Sequence, residues 1–169
     1  MNIKTLVLRA ALVALTMVAT IVIQIPTPAT KGYLNLGDSV VFISALLFGP
    51  ITGAIAGGFG SALADLFTGH TLWAPMTLII KGIEGLMVGV LFRLTRRSLT
   101  EGWGIGLALL VVLLGGLWMV FGYFVCEIFL FGFAPAAAGA PGNLVQAIGS
   151  VCVALPVAVA LARVTRRRA

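Results

Sequence analysis

Long apolar runs follow one another along almost the whole chain, separated by short polar or glycine-proline breaks. A helix that crosses a bilayer needs about 20 apolar residues, and the pattern contains six runs, of which the second and third are short. The runs are continuous rather than alternating, which disfavours a strand-built barrel. The pattern predicts an all-α, polytopic membrane protein in which residues 1–169 form a single transmembrane domain. Its six transmembrane helices are expected at about residues 5–25, 36–48, 51–67, 73–94, 103–131 and 143–162.

The breaks between the runs differ in character. Two prolines in residues 26–32 argue against a continuing helix and predict a loop. Gly49-Pro50 predicts a sharp corner between the second and third helices. Residues 98–102 are predicted to form a polar loop, and the small residues of 134–142 another loop.

Composition agrees with the membrane interpretation. Of 169 residues 60% are hydrophobic and 9% charged, a balance that soluble domains do not have. Cys126 and Cys152 lie in apolar runs and are interpreted as buried small hydrophobic residues. The net charge of +6 comes from basic residues near helix ends rather than from a nucleic-acid-binding patch.

The positions of these basic residues predict the orientation. If both termini are cytoplasmic, nine basic residues lie inside and only Lys31 lies in an outer loop, as the positive-inside bias requires. The nine are Lys4, Arg9, Arg93, Arg96, Arg97, Arg163, Arg166, Arg167 and Arg168.

Polar side chains interrupt the apolar runs at particular places. An ionised side chain at the bilayer centre costs at least about 2.5–3.5 kcal/mol, so such residues need a polar cavity. Because successive helices alternate in direction, all these residues fall in the outer half of the membrane. We predict that they line a substrate-binding cavity open to the outside, with Trp73, Trp118, Phe121 and Phe124 as possible flat walls. The predicted binding residues are Asn35, Asp38, Asp65, Lys81, Glu84, Tyr123, Glu127, Asn143 and Gln146.

Simpler explanations exist for the same residues. Lys81 and Glu84 are three apart on one helix face and are also explained by a structural ion-pair network, for example of Lys81 with Glu84 or Asp65. Helix capping is the corresponding alternative for Asn35, Asp38, Asn143 and Gln146. Four carboxylates against one lysine cannot all be neutralised within the chain, which favours a ligand that carries hydrogen-bond donors.

Other functional classes leave a weaker signal. There is no G-x-x-x-x-G-K-[ST] motif for ATP, and the sequence shows no metal-ligand cluster. Ser61 and His70 permit the hypothesis of an intramembrane serine hydrolase, although a lone loop histidine is more simply a solvated residue. A stand-alone secondary transporter is a third hypothesis. Ala10 and Ala14 share a face of the first helix, which favours close packing either inside this protein or against a separate membrane subunit.

Several segments together resemble one known family. They are YLNLGDSVVF (33–42), LFGPITGAIAGGFGSALADLF (47–67), APMTLIIKGIEGLMVGVLF (74–92), GYFVCE (122–127) and PGNLVQ (141–146), with Ala10-x-x-x-Ala14 in the first helix. The chain resembles the substrate-binding S components of energy-coupling factor (ECF) transporters, and most of all the subgroup for hydroxymethylpyrimidine, pyridoxine and related vitamin precursors.

The resemblance implies a six-helix fold in the cell membrane of a prokaryote, with an outward-facing vitamin site. It implies a small vitamin ligand. It also implies two kinds of partner subunit, a transmembrane scaffold subunit (T component) and two cytoplasmic ATPases. Because the ATPases use the ATP, this chain is expected to need no cofactor and not to be an enzyme. The resemblance also implies that Ala10 and Ala14 meet the scaffold subunit. Ligand contacts are implied for Asn35, Asp38, Lys81, Glu84, Tyr123, Glu127, Asn143 and Gln146.

Overall fold

The described residues form six helices and one short β-hairpin. A computed structural model describes residues 2–168, with side chains as far as Arg166. The side chains of Arg167 and Arg168, which the charge count includes, lie outside the described residues. The elements are α1 (Ile3–Val22), β1 (Ile25–Thr27), β2 (Gly32–Leu34), α2 (Gly37–Phe48), α3 (Pro50–Phe67), α4 (Ala74–Leu94), α5 (Gly102–Phe131) and α6 (Phe133–Arg168). The predicted six-helix fold is confirmed, and the first five helices match their predicted bounds to within three residues.

The helices differ in length in a way that shapes the protein. Four of those described, α1, α4, α5 and α6, are long and apolar enough to cross a membrane. The 12-residue α2 is only about 18 Å long at 1.5 Å per residue, which is less than the roughly 30 Å hydrocarbon core. The Gly49-Pro50 corner predicted from the sequence is confirmed. Gly49 has a φ of +87°, which a side chain would strain, and Pro50 is the first residue of α3.

The loop predicted at residues 26–32 is instead part of a β-hairpin. Ile25, Pro26 and Thr27 pair with Leu34, Tyr33 and Gly32 in antiparallel register. The two prolines do not prevent this, because Pro28 lies in the turn and Pro26 in a strand of a two-stranded sheet, where edge positions tolerate a missing N–H. Three-residue strands leave too short a pattern to be recognised from sequence.

The loop predicted at residues 134–142 is also wrong, because this segment is helical. Gly132, with a φ of +88°, ends α5, and α6 begins at the next residue and continues through Pro141 and Pro156. Alanine has the highest helix propensity. The alanines before Pro141 therefore support a helix that a single proline does not end.

Close glycine contacts bring α3 and α4 together. A Cβ atom on Gly85 would lie 2.3 Å from the carbonyl oxygen of Gly53, and one on Gly57 would lie 2.5 Å from the carbonyl oxygen of Lys81. Only glycine permits this approach, which places the Lys81 turn of α4 directly against α3. An apolar core built from α2, α4, α5 and α6 around Phe42 and Val112 fills the other half of the bundle.

Candidate ligand-binding site

A polar cavity lies among the helix ends on the hairpin side of the bundle. The C-terminal ends of α1, α3 and α5 and the N-terminal ends of α2 and α4 lie at this side. The space between its walls is about 470 Å³, a volume that includes solvent at its open mouth. Seven of the nine predicted binding residues line it, namely Asn35, Asp65, Lys81, Tyr123, Glu127, Asn143 and Gln146. The five helices that were expected to contribute therefore meet at one place.

The other two predicted residues, Asp38 and Glu84, are fully buried and are not part of the lining. Lys81 donates a hydrogen bond to Oδ1 of Asp38, and its Nζ lies 3.3 Å from Oε2 of Glu84. Both carboxylates therefore lie next to a lysine that faces the cavity. Any contribution of theirs to ligand binding would act through that lysine and its neighbours.

Asp38 also fixes a second lining residue. Gln146 Nε2 donates to Asp38 Oδ2 at 2.9 Å, and Gln146 Oε1 accepts from the backbone N–H of Asn35 at 2.8 Å. One carboxylate on α2 thus holds a lysine on α4 and an amide on α6. The ion-pair alternative from the sequence is confirmed for Lys81 and Glu84, with Asp38 as the additional partner.

Asp65 pairs with Tyr33 of the hairpin rather than with Lys81. The Tyr33 hydroxyl donates to Asp65 Oδ1 at 2.6 Å, and its ring lies 4.6 Å from that of His70. Burial, reinforced by the neighbouring carboxylate, raises the pKa of Tyr33 well above its usual value. Tyr33 therefore remains a hydrogen-bond donor and joins the hairpin to the end of α3.

Five buried polar atoms of the lining make no hydrogen bond of acceptable geometry among the described residues, although Glu127 lies close to Asn143 and Thr30, and Asp65 close to Thr77. They are Ser61 Oγ, Asp65 Oδ2, Trp73 Nε1, Glu127 Oε2 and Asn143 Nδ2. An unpaired buried polar group costs about 1–3 kcal/mol. Two acceptors, two donors and one hydroxyl that does both are thus positioned for a polar molecule inside the cavity.

The aromatic residues are divided between the cavity and other surfaces. Trp73 and Tyr123 line the cavity with their rings edge to face at 5.9 Å, and Lys81 Nζ lies 5.5 Å from the centre of the Tyr123 ring. Trp118, Phe121 and Phe124 are not part of the lining. Trp118 donates to the carbonyl oxygen of Ile80 instead. The predicted flat walls are therefore reduced to Trp73, with Tyr123 beside it.

The capping alternative is not confirmed for these residues. Asn35 Oδ1 accepts from the backbone N–H of Gly37 at 2.9 Å, but the N-cap of α2 is Leu36, and α2 has no side-chain cap hydrogen bond. Asp38 and Gln146 use their side chains in the network described above. Asn143 lies inside α6, well past its first turn, and is not a cap.

The geometry does not support a serine hydrolase. His70 Nδ1 lies 3.0 Å from Thr68 Oγ1, whereas Ser61 Oγ contacts no hydrogen-bond partner in the described chain. The histidine lies in the loop after α3 and is only partly buried, with its ring against Tyr33. A nucleophile without a base in contact lacks the arrangement that this chemistry needs.

Sequence reasoning missed six lining residues, which are Thr20, Thr27, Thr30, Gly32, Tyr33 and Thr77. A signal existed for Thr77, because it lies four residues from both Trp73 and Lys81 and so shares their face of α4. The hairpin residues had no comparable signal, because their contribution depends on how the hairpin folds over the helix ends.

The first helix presents its small residues outward. Ala10 and Ala14 are both exposed, whereas Leu12, Thr16 and Thr20 form the buried face of α1. Thr16 packs against Gly60 of α3. Packing of the two alanines inside this protein is therefore not observed.

Comparison with known proteins identifies the family. Residues 1–163 match the family model described as ECF-type riboflavin transporter, S component. An uncharacterised protein of Pyrococcus woesei is 42% identical over 136 residues, which cover 80% of this chain and 86% of that protein. The thiamine precursor transporter HmpT of Lactococcus lactis is 37% identical over 148 residues, covering 87% and 81% of the two chains. The chain belongs to the family of S components of ECF-type transporters.

A solved structure supports the fold. The crystal structure of the S component for biotin from an ECF-type ABC transporter matches with a TM-score of 0.69 and 22% identity, over 98% of this chain and 92% of that one. The resemblance stated from the sequence is confirmed, and so is the expectation of a multi-pass membrane transport protein. The chain is a transporter subunit and not an enzyme, which sets aside the hydrolase hypothesis.

Proposed function

We propose that this S component captures a small vitamin or vitamin precursor from outside the cell and delivers it inward with partner subunits. The observation that carries the proposal is the group of five unpartnered polar atoms around one cavity. A ligand that pairs with them removes several desolvation penalties at once, which is a source of affinity that an empty cavity lacks.

The pattern of free atoms indicates the kind of ligand. Asp65 Oδ2 and Glu127 Oε2 accept hydrogen bonds and suit amino or hydroxyl groups, whereas Trp73 Nε1 and Asn143 Nδ2 donate and suit ring nitrogens. A substituted pyrimidine or pyridine with amino or hydroxymethyl groups offers both. Hydroxymethylpyrimidine is our first candidate and a pyridoxine-like molecule the second. The 37% identity to HmpT, a thiamine precursor transporter, supports this choice.

Orientation and partners complete the proposal. The cavity lies at the end of the bundle opposite to both chain termini, and the basic residues at those termini favour a cytoplasmic location for them. We infer that the cavity opens outward in the cell membrane of a prokaryote. A T component that docks on the face of Ala10 and Ala14, with two cytoplasmic ATPases, would provide the energy for transport.

The test is ligand binding by the purified full chain, measured by calorimetry and by quenching of tryptophan fluorescence. We expect hydroxymethylpyrimidine to bind, and Glu127→Gln to weaken binding about tenfold or more, because a hydrogen bond with a charged partner contributes roughly 1.5–3 kcal/mol. Asn143→Ala should weaken binding several-fold, because a hydrogen bond from a neutral amide contributes about 0.5–1.5 kcal/mol. Glu101→Gln is the matched control, since Glu101 is exposed and outside the cavity.

Several outcomes separate the parts of the proposal. Tighter binding of riboflavin than of hydroxymethylpyrimidine would overturn the substrate but not the cavity. Equal affinity in the wild type, Glu127→Gln and Asn143→Ala would overturn the cavity. Ion-driven uptake by this chain alone in proteoliposomes would favour the stand-alone secondary transporter over delivery with ATPases.

A further inference from the structure

A second cavity lies at the other end of the bundle, beside the corner that joins α2 to α3. The space between its walls is about 690 Å³, a volume that includes open solvent. Most of its lining residues are apolar and come from the last turn of α2 and from Phe92 of α4, whereas Arg93 and Arg97 give it a polar rim. We call it the arginine-rimmed cavity.

The unequal lengths of the helices account for this space. The corner packs against α4 at Gly89, where a Cβ atom would lie 2.4 Å from the Cα of Pro50. From Gly89, α4 continues to Leu94, which adds about 7 Å at 1.5 Å per residue. Arg93 therefore lies one helical turn beyond the level at which α2 ends, and the wall below it is apolar.

The two arginines have no counterion among the described residues. Both are exposed, and neither forms a salt bridge with another described residue. Four of the five carboxylates belong to the polar cavity or lie beneath it at the opposite end, and the fifth, Glu101, forms no salt bridge in the described chain. The rim of the cavity is thus cationic and not neutralised.

We propose that the arginine-rimmed cavity binds an anionic phospholipid of the surrounding bilayer. The phosphate would lie between Arg93 and Arg97, and one acyl chain would cover the apolar wall that Leu47 and Phe48 help to form. Guanidinium groups suit phosphate because their N–H groups form paired hydrogen bonds with its oxygens. Basic pockets between helices on the cytoplasmic side are known to take such headgroups. A free phosphate ion would match the arginines but leave the apolar wall uncovered.

Native mass spectrometry of the full chain tests this proposal. The protein is purified in detergent and titrated with phosphatidylglycerol or with phosphatidylcholine of the same acyl chains. We expect phosphatidylglycerol to bind about tenfold more tightly, and Arg93→Gln/Arg97→Gln to remove the preference. The double variant Arg163→Gln/Arg166→Gln is the matched control, because it removes the same charge near the same end from residues outside the cavity.

The remaining arms separate the alternatives. Excess inorganic phosphate should not displace the lipid, and full displacement would indicate a free-anion site instead. Equal binding of the two lipids, or equal loss of preference in both double variants, would overturn the proposal. If lipid binding is unchanged in Arg93→Gln/Arg97→Gln but assembly with a T component is lost, the rim is a protein-docking surface. Thermal unfolding of each variant shows whether it is folded.

Discussion

Replacing Asp38 with alanine would leave two side chains of the cavity without the group that holds them. Lys81 would lose its hydrogen-bonded carboxylate, and Gln146 Nε2 would lose its acceptor. Both lie in the lining, so the prediction concerns stability and ligand binding together.

The structure sets the magnitude. Removing one partner of a buried ion pair costs about 3–5 kcal/mol, and leaving a buried amide unpaired adds about 1–3 kcal/mol. Glu84, whose Oε2 lies 3.3 Å from Lys81 Nζ, remains as a second partner of the lysine. The cost of breaking the ion pair should therefore be near the lower end of its range, about 3 kcal/mol. We therefore expect Asp38→Ala to destabilise the fold by roughly 4–6 kcal/mol. Lys81→Met should cost at least as much, because it leaves Asp38 and Glu84 buried with no cation between them.

A double-mutant cycle measures the interaction itself. Asp38→Ala, Lys81→Met and the double variant are unfolded by heat or denaturant in detergent and followed by circular dichroism. The double variant buries no unpaired lysine. We therefore expect its loss of stability to be smaller than the sum of the losses of the two single variants, by about 2 kcal/mol or more.

Exposed Glu101→Ala is the control and should change stability by less than about 0.5 kcal/mol. Additive single changes would refute the reasoning, because they would mean that Asp38 and Lys81 do not depend on each other.

Three further predictions follow from particular contacts. Ala14→Phe should block assembly with a T component while ligand binding remains, because Ala14 is exposed on α1. The control is Leu117→Phe, which changes an exposed residue of α5. Normal pull-down of the T component by the Ala14→Phe variant would contradict the proposed docking face. Gly85→Ala should destabilise the fold by about 1–3 kcal/mol, because the added Cβ would lie 2.3 Å from the backbone of Gly53. Gly106→Ala is the control and should stabilise the fold by about 0.5–1 kcal/mol, because its Cβ would contact nothing. The unfolding midpoints of the two variants are compared with that of the wild type, and equal shifts would contradict this packing. The raised pKa of Tyr33 means that the folded state holds the hydroxyl proton of Tyr33 more tightly than the unfolded chain does. The stabilisation by Tyr33 is therefore complete below about pH 10 and is lost as the pH rises above that value. Tyr33→Phe should flatten the fall of the unfolding midpoint above about pH 10, and an unchanged pH profile would count against this reasoning.

Much of the helical structure could be predicted because it depends on local features. The apolar runs and the Gly49-Pro50 corner place helix ends to within a few residues. Local features also misled at α6, where the small residues of 134–142 predicted a loop although alanine favours a helix. The hairpin at residues 25–34 was missed because two three-residue strands leave almost no periodic pattern.

The candidate site was predictable only as a group of residues. Alternating helix directions bring Asp38, Asp65, Lys81, Glu84 and Glu127 to one end of the bundle, and this follows from the order of the helices alone. Spacing along one helix identified the contact of Lys81 with Glu84. It carried no information on the partner of Lys81 from another helix.

The apolar runs and their order are enough to predict a membrane protein of six helices whose polar residues gather at one end. The pairing of Asp38 with Lys81 beneath the cavity, and of Asp65 with Tyr33 at its edge, follows only from the folded arrangement of the helices. The physical reason is that a helix forms through contacts between residues three or four apart, which any stretch of sequence contains. The choice of a charged partner depends on the rotation and depth of separate helices, which are set by packing such as that of Gly53 against Gly85.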